Sequence, residues 1–261
     1  MSSESNSAAH NVRKNYITSS LLERPELADE HQSVGGSAWP EFMVHDPIAI
    51  ANWDKMMNYF SADQLSLLIE GQIAAVINMV PLQIELNLNK LPDRGVDWGV
   101  EKSVSDHESG LRPNALMGLQ VVVGKGFRGR KLSISATNEM IEHDKRRGLE
   151  FVVLPVRPND KQNYPLIPMD QYINWTTPEG LPFDGWLRVH QRLGGETIKV
   201  CRKSMIIPGT IAEWERWTDQ IFPGSGSYVV SGALNPIEID TEQNTGRYVE
   251  PNVWVVHRVR S

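Results

Sequence analysis

The chain has one cysteine, Cys201, among its 261 residues, so no internal disulfide can form and a reducing, cytoplasmic setting is expected. An excess of basic residues is also missing. The formal net charge of −6 argues against a nucleic-acid binder, which would need a cationic face to displace counterions, although a local basic pocket stays compatible with it. Long apolar runs are absent too. The longest, "IAAVINMV" at 73 to 80, stops at Pro81 and is too short to span a bilayer, so no membrane role is expected. The start "MSSESNSAAHNVRKNY" is polar and lacks the apolar core of a signal peptide. The histidines lack close pairing at ligand spacing, so no metal is expected. No period indicates a repeat array.

What remains is ample for a globular core, since 40% of the residues are hydrophobic. Residues 1–38 are rich in Ser, Glu and Asn and close on "VGGSAWP", which predicts a flexible or loosely packed extension with local helix around Leu21 to Ala28. Residues 39–261 read as one domain. Within it, "DPIAIANWDKMMNYFSADQLSLLI" predicts two short helices, and "QIAAVINMVPLQIEL" and "NALMGLQVVV" predict strands. Past the second strand, Leu132, Ala136, Met140 and Ile141 make a helical stripe ending at Arg146, Arg147 and Gly148. "LEFVVLPV" follows as a buried strand, so strand, helix and strand predict a right-handed crossover between parallel neighbours. A Pro- and aromatic-rich insertion spans 157–183, longer than a simple connection requires.

The turn of this crossover, "VVVGKGFRGRKLS", contains Gly124-x-Gly126-x-x-Gly129, the spacing of a dinucleotide-binding loop. A nicotinamide dinucleotide would want small neutral residues there and an acidic residue closing the next strand. Here the loop carries Arg128, Arg130 and Lys131, and the next strand closes on Val156-Arg157, which leaves an NADP reading distant but open. No Gly-Lys-Ser/Thr exists to make a P-loop. Free amides at a helix start, flanked by cations, make an anion site whatever the ligand.

"FRGRKLS" resembles the acyl-CoA loop of the GNAT N-acetyltransferase superfamily, whose pattern is Arg/Gln-x-x-Gly-x-Gly/Ala. Arg128 matches its first position, whereas Lys131 stands where the family has glycine and Ser133 where it has glycine or alanine. A second segment, "FDGWLRVHQRLGGETIKV", is similar to the family's later helix and strand, with Asp184 as helix cap and "HQRLGG" in place of a tyrosine-containing turn. The resemblance implies an α+β fold, with a mixed, mainly antiparallel sheet splayed between two central parallel strands and helices on both faces. It implies acetyl-CoA or another acyl-CoA as co-substrate, lying between those strands. Val121, Val123, Arg128, Gly129, Arg130, Lys131, Leu132 and Ser133 would then bind it, with a backbone amide near Val121 to Val123 polarising the thioester.

The resemblance places His190 where the family has a tyrosine general acid, and an imidazole donates protons near neutral pH. Glu101, in the acidic stretch 97–110, is the candidate base, with the cluster Asp106, His107 and Glu108 close behind, although most of that stretch reads as an exposed loop. Tyr172 stands in reserve as an acid. Arg157, Lys161 and Tyr164 are candidates to recognise the acceptor, from a lid over the sheet. The expected activity is transfer of an acyl group, acetyl above all, to an amine of a small molecule, by a monomer or homodimer. Decarboxylation, S-acyl transfer or non-catalytic acyl-CoA sensing on the same fold stay open as alternatives.

Overall fold

Runs of valine, isoleucine and leucine form the strands of this chain, and the computed structural model describes residues 15–259. Nine strands make one sheet. Its order is β1 (Ile17–Ser20), β2 (Gln64–Ile69), β3 (Gln72–Leu82), β4 (Ala115–Val123), β5 (Phe151–Val156), β9 (Thr245–Arg258), β8 (Ile237–Asp240) and β7 (Gly226–Tyr228). The remaining strand, β6 (Glu196–Gly209), lies along β9. β4 and β5 are the parallel pair, and the other pairings are antiparallel.

The predicted crossover is present. α4 (Leu132–Arg147) joins β4 to β5, buries Leu132, Ala136 and Met140, and ends at Gly148 with φ at +67°. α5 (Met169–Tyr172) and α6 (Gly185–Arg192) share this core through Met169, Tyr172 and Leu187. The opposite face of the sheet packs against α2 (Pro47–Tyr59) and α3 (Gly95–Glu108). α1 (Ala28–Gly36) also lies on β3, and α7 (Ile211–Thr218) covers β9 through the buried Trp214. No helix among the described residues is long and apolar enough to cross a membrane.

Three expectations are corrected. Residues 15 to 38 are not a loose extension: they supply the edge strand β1 and the helix α1, which carries His31 inside at 1% exposure. Residues 1–14 lie outside those described. The stretch 46–69 forms one helix rather than two, because Asp46 caps α2 and Pro47 opens it, while "QLSLLI" is the strand β2. The acidic stretch 97–110 is mostly the helix α3. Its inner face is built from small residues: a Cβ on Gly99 would stand 2.0 Å from the Met117 sulfur, so a larger residue there would make the Met117 side chain move.

Two features shape the sheet's centre. Pairing of β4 with β5 covers three residues, Ala115↔Phe151 to Met117↔Val153, although both strands continue beyond it. Across from β3, the register shifts between Asn78 (opposite Gln120) and Met79 (opposite Gly118), which leaves Leu119 as a bulge. A bulge bends and twists its strand. Here it also turns Leu119 and Gln120 to the same face, while Val121 and Val123 pack on the α4 side.

A chain of buried amides holds that bulge. The Gln120 side chain donates to Asn78 (2.7 Å), and Asn78 donates to Gln64 (2.7 Å) and to the His31 Nε2 (3.0 Å). His31 contacts the Ser66 hydroxyl through Nδ1 at 2.9 Å, and Trp39 donates its indole N–H to Gln120. Burial holds the His31 pKa down to about 4, so the ring is neutral and serves as an acceptor for Asn78.

Between α2 and α3, Asp46 and Asp97 form a buried carboxyl pair. Burial first, and the Asp46 charge second, push the Asp97 pKa up to about 8. A carboxyl whose folded pKa is raised stabilises the fold fully below about pH 4 and loses that contribution as pH rises through about 8. Asp97→Asn should therefore melt higher than the parent at pH 9, by about 3 °C or more, with the gap closing toward pH 5. Calorimetric scans at the two pH values check this. A gap independent of pH would rule out the raised pKa of Asp97.

Candidate active site

Where β4 and β5 part, a cavity of about 160 Å³ opens between them. Gly118 to Val122 line one wall and Leu154 to Arg157 the other, with Asn159, Glu250 and Asn252 at the far end and Trp186 against it. Gly118 keeps the floor low, since a Cβ there would meet Leu154 and Met140 at 2.8 Å. β4 carries on from this cavity into the glycine-arginine loop and α4.

That loop has the shape of an anion cradle. Gly129 and Lys131 both adopt left-handed backbone, with φ at +79° and +59°. Lys131 thus takes the conformation for which the resembled pattern uses glycine. Among the described residues no side chain caps α4, so the Leu132 and Ser133 amides at its start remain open to an anion. Arg128, Arg130 and Lys131 are exposed around it, with Arg130 stacked over the Phe127 ring, while Leu132 is buried and anchors the helix. Val121 and Val123 are half-buried on the side of the sheet that α4 covers.

At the far end sits an ion pair that the sequence did not single out. Glu250 is fully buried and pairs with the Arg157 Nε at 2.7 Å. The Tyr248 hydroxyl and the Asn252 amide donate to the same carboxylate. β9 makes room for this cluster because its β5-facing edge pairs only from Val253 and its β8-facing edge only up to Arg247. Arg157, a candidate for acceptor recognition, does reach the cavity, but it is held by Glu250 and by the Gly232 carbonyl.

The remaining candidates lie elsewhere. Glu101 pairs with Arg94 at 2.9 Å on the outer side of α3 and lines no part of the cavity. Lys161 is wholly buried and donates to the carbonyls of Leu234 and Tyr164, so it ties loops together rather than meeting an acceptor. Burial holds its pKa down at about 8. The Tyr172 hydroxyl donates to Asp184, the cap of α6, at 3.0 Å; burial raises its pKa, and it is not an acid in reserve. Tyr164 packs edge-on against Trp175 and Phe183 in the same aromatic cluster, so the 157–183 segment is a built cover with its own core.

His190 is buried too, at 1% exposure, with its Nδ1 3.1 Å from the His257 Nε2. Burial first, and His257 second, lower its pKa to about 3. It is therefore neutral at physiological pH and not poised to titrate as the sequence suggested. Its ring meets Trp186 edge to face with centroids 4.6 Å apart, so it stands behind the side chain that forms the cavity wall. Gln120, Glu250 and Trp39 went unread in the sequence. Only Gln120 gave a signal there, as the one polar side chain within "ALMGLQVVV". Among the described residues, no group of three or more His, Cys, Asp or Glu is placed to hold a metal ion.

No family model matches the chain. An arginine N-acetyltransferase from Aspergillus versicolor is similar to it, 28% identical over 94% of each chain. Among solved structures, the loading GNATL domain of CurA from Lyngbya majuscula is similar, with a TM-score of 0.57 and 16% identity over 94% of this chain and 98% of that one. So is the GphF GNAT-like decarboxylase in complex with isobutyryl-CoA, with a TM-score of 0.53 and 15% identity over 94% of this chain and all of that one. With the parted parallel strands and the open α4 start, these likenesses show that the chain has the GNAT fold.

Proposed function

We propose that the chain is an acyl-CoA-dependent N-acyltransferase that moves an acetyl group from CoA to the amine of a small molecule by direct attack. The observation that carries this reading is that β4, which lines the cavity from Gly118 to Val122, runs on into the uncapped, arginine-flanked start of α4. A pyrophosphate at Arg128 to Ser133 would lead its thioester along β4 into the cavity. The N-acetylation named for the Aspergillus relative supports an amine as acceptor.

The chemistry follows from the geometry. Beyond Met117 no strand among the described residues lies beside the β5-facing edge of β4, so a main-chain N–H near Val121 to Val123 is available to the thioester oxygen. The neutral amine attacks the thioester carbon, a C–N bond forms, and the C–S bond breaks as the oxyanion collapses. The proton shed by the amine goes to Glu250, directly or through a water, and the thiolate takes one from water. Glu250 is assigned this role because it is the one carboxylate among the described residues lining the cavity, with Arg157 and Asn252 fixing its orientation. His190 supports Trp186 and takes no part in proton transfer.

Release of free CoA thiol from acetyl-CoA across an amine panel, with product masses, tests the reaction. Carbon dioxide from malonyl-CoA without amine-dependent thiol release would make the protein a decarboxylase instead. CoA binding with no turnover at all would make it a sensing module.

Three variants test the parts. Gly129→Asp keeps a residue tolerant of left-handed backbone but adds a negative charge, and should weaken CoA binding by more than about tenfold in calorimetry with the fold intact. Unchanged affinity would remove the loop from the site. Glu250→Gln should lower kcat by about 10²-fold while CoA affinity holds, provided circular dichroism shows it folded. His190→Phe should keep most of kcat and lose some thermal stability. A loss of about 10²-fold at unchanged stability would return the acid role to the imidazole.

A further inference from the structure

Across the sheet from α4 lies a second cavity, of about 360 Å³, enclosed by α1, α2, α3 and the bulge of β4. Its walls are Trp39, Met43, Trp53, Met56, Val100 and Met205, and among the described residues no ionisable side chain lines it. The polar side chains that reach it are Gln32 and Gln120, and Gln120 is committed on both ends, accepting from Trp39 and donating to Asn78. Its rim is apolar as well: Ile50 and Val44 stand there 62% and 47% exposed. The nearby carboxyl pair of Asp46 and Asp97 is enclosed between α2 and α3 and does not face this space.

The cavity joins the splay. Trp39, Val96, Leu119, Gln120 and Met205 line both, so a molecule seated here reaches the place where the thioester carbon would lie. It sits on the face of the sheet opposite the one covered by α4. A guanidinium or polyamine body in this space would lose its water and gain no counter-charge. An apolar body gains about three- to fourfold in affinity for each methylene it buries. Such walls also favour the neutral form of an amine, the form that attacks.

Resting on the acyl-transfer reading, we propose that the acceptor is a primary amine on a bulky apolar or aromatic body. It enters between α1 and α2, seats that body among Trp39, Trp53 and Met43, and presents its nitrogen beside Gln120.

Calorimetry on the CoA-loaded full chain, with tryptamine and octylamine set against arginine and agmatine, tests this. Tryptamine should bind at least about tenfold more tightly than agmatine. Trp53→Ala should weaken tryptamine about tenfold and leave CoA affinity unchanged. Ile50→Glu, at the exposed rim where folding is not at stake, should weaken tryptamine and strengthen agmatine. Agmatine or arginine binding as tightly as tryptamine, or no amine binding at all, overturns the proposal. So does a Trp53→Ala variant that leaves tryptamine affinity intact but loses affinity for octanoyl-CoA, since the cavity would then house the acyl chain. Tryptamine binding that survives while acetyl transfer is never seen would count against the transfer reaction and in favour of the apolar seat, which keeps the two failures distinct.

Discussion

Two parallel strands that start as neighbours and then let go of each other set the plan of this molecule. β4 and β5 share three residue pairs and then separate, and everything chemical lies in or beside the gap. A parting of that kind leaves backbone groups without partners, which an interior tolerates only if something else satisfies them or a ligand does. On the β3 side the bulge at Leu119 absorbs the bend. On the β5 side the edge stays open, and an acyl thioester is the natural occupant under the reading proposed here.

The bend is held in place by polar groups rather than by grease. Gln120, Asn78, Gln64 and His31 form a connected set on the sheet's second face, with Asn78, Gln64 and His31 buried and Gln120 partly so. Buried amides without partners are costly, so a fully connected set favours one register over its neighbours. Through His31 and Trp39 the same set fixes α1 and the turn after it, so that the wall of the apolar cavity and the bend of β4 are positioned by one network. Glu250 with Arg157 plays the corresponding part at the other end of the gap.

Much of the centre was legible in the sequence. The β4–α4–β5 unit showed because its apolar residues keep strand and helix spacing and because Gly148 and the arginines mark the helix end. The anion loop showed because charge and glycine coincide at a helix start. α3 did not, for a physical reason: its inner face is made of Gly95, Gly99 and Ser103, with Val100 and Val104, so close packing replaces the apolar stripe that periodicity detects. α1 was hidden by its polar composition, since His31 goes inside by hydrogen bonding and not by hydrophobicity. Glu250 and Arg157 were illegible as a pair because topology brings them together across most of a hundred residues. Lys161 misled for the converse reason, as a charged side chain in a polar loop that proves to be an internal tie between carbonyls.

β9 has one more consequence, for how the chain comes to be folded at all. It is the strand to which β5, β6 and β8 all pair, yet it follows β5 only after everything from Arg157 to Asn244. During synthesis the apolar edge of β5 must therefore wait, bare, for a partner not yet made. Non-local pairing of this sort slows folding and exposes strand edges to the wrong neighbours. The half of the sheet ending at β5 can therefore close only once the last strand has been made.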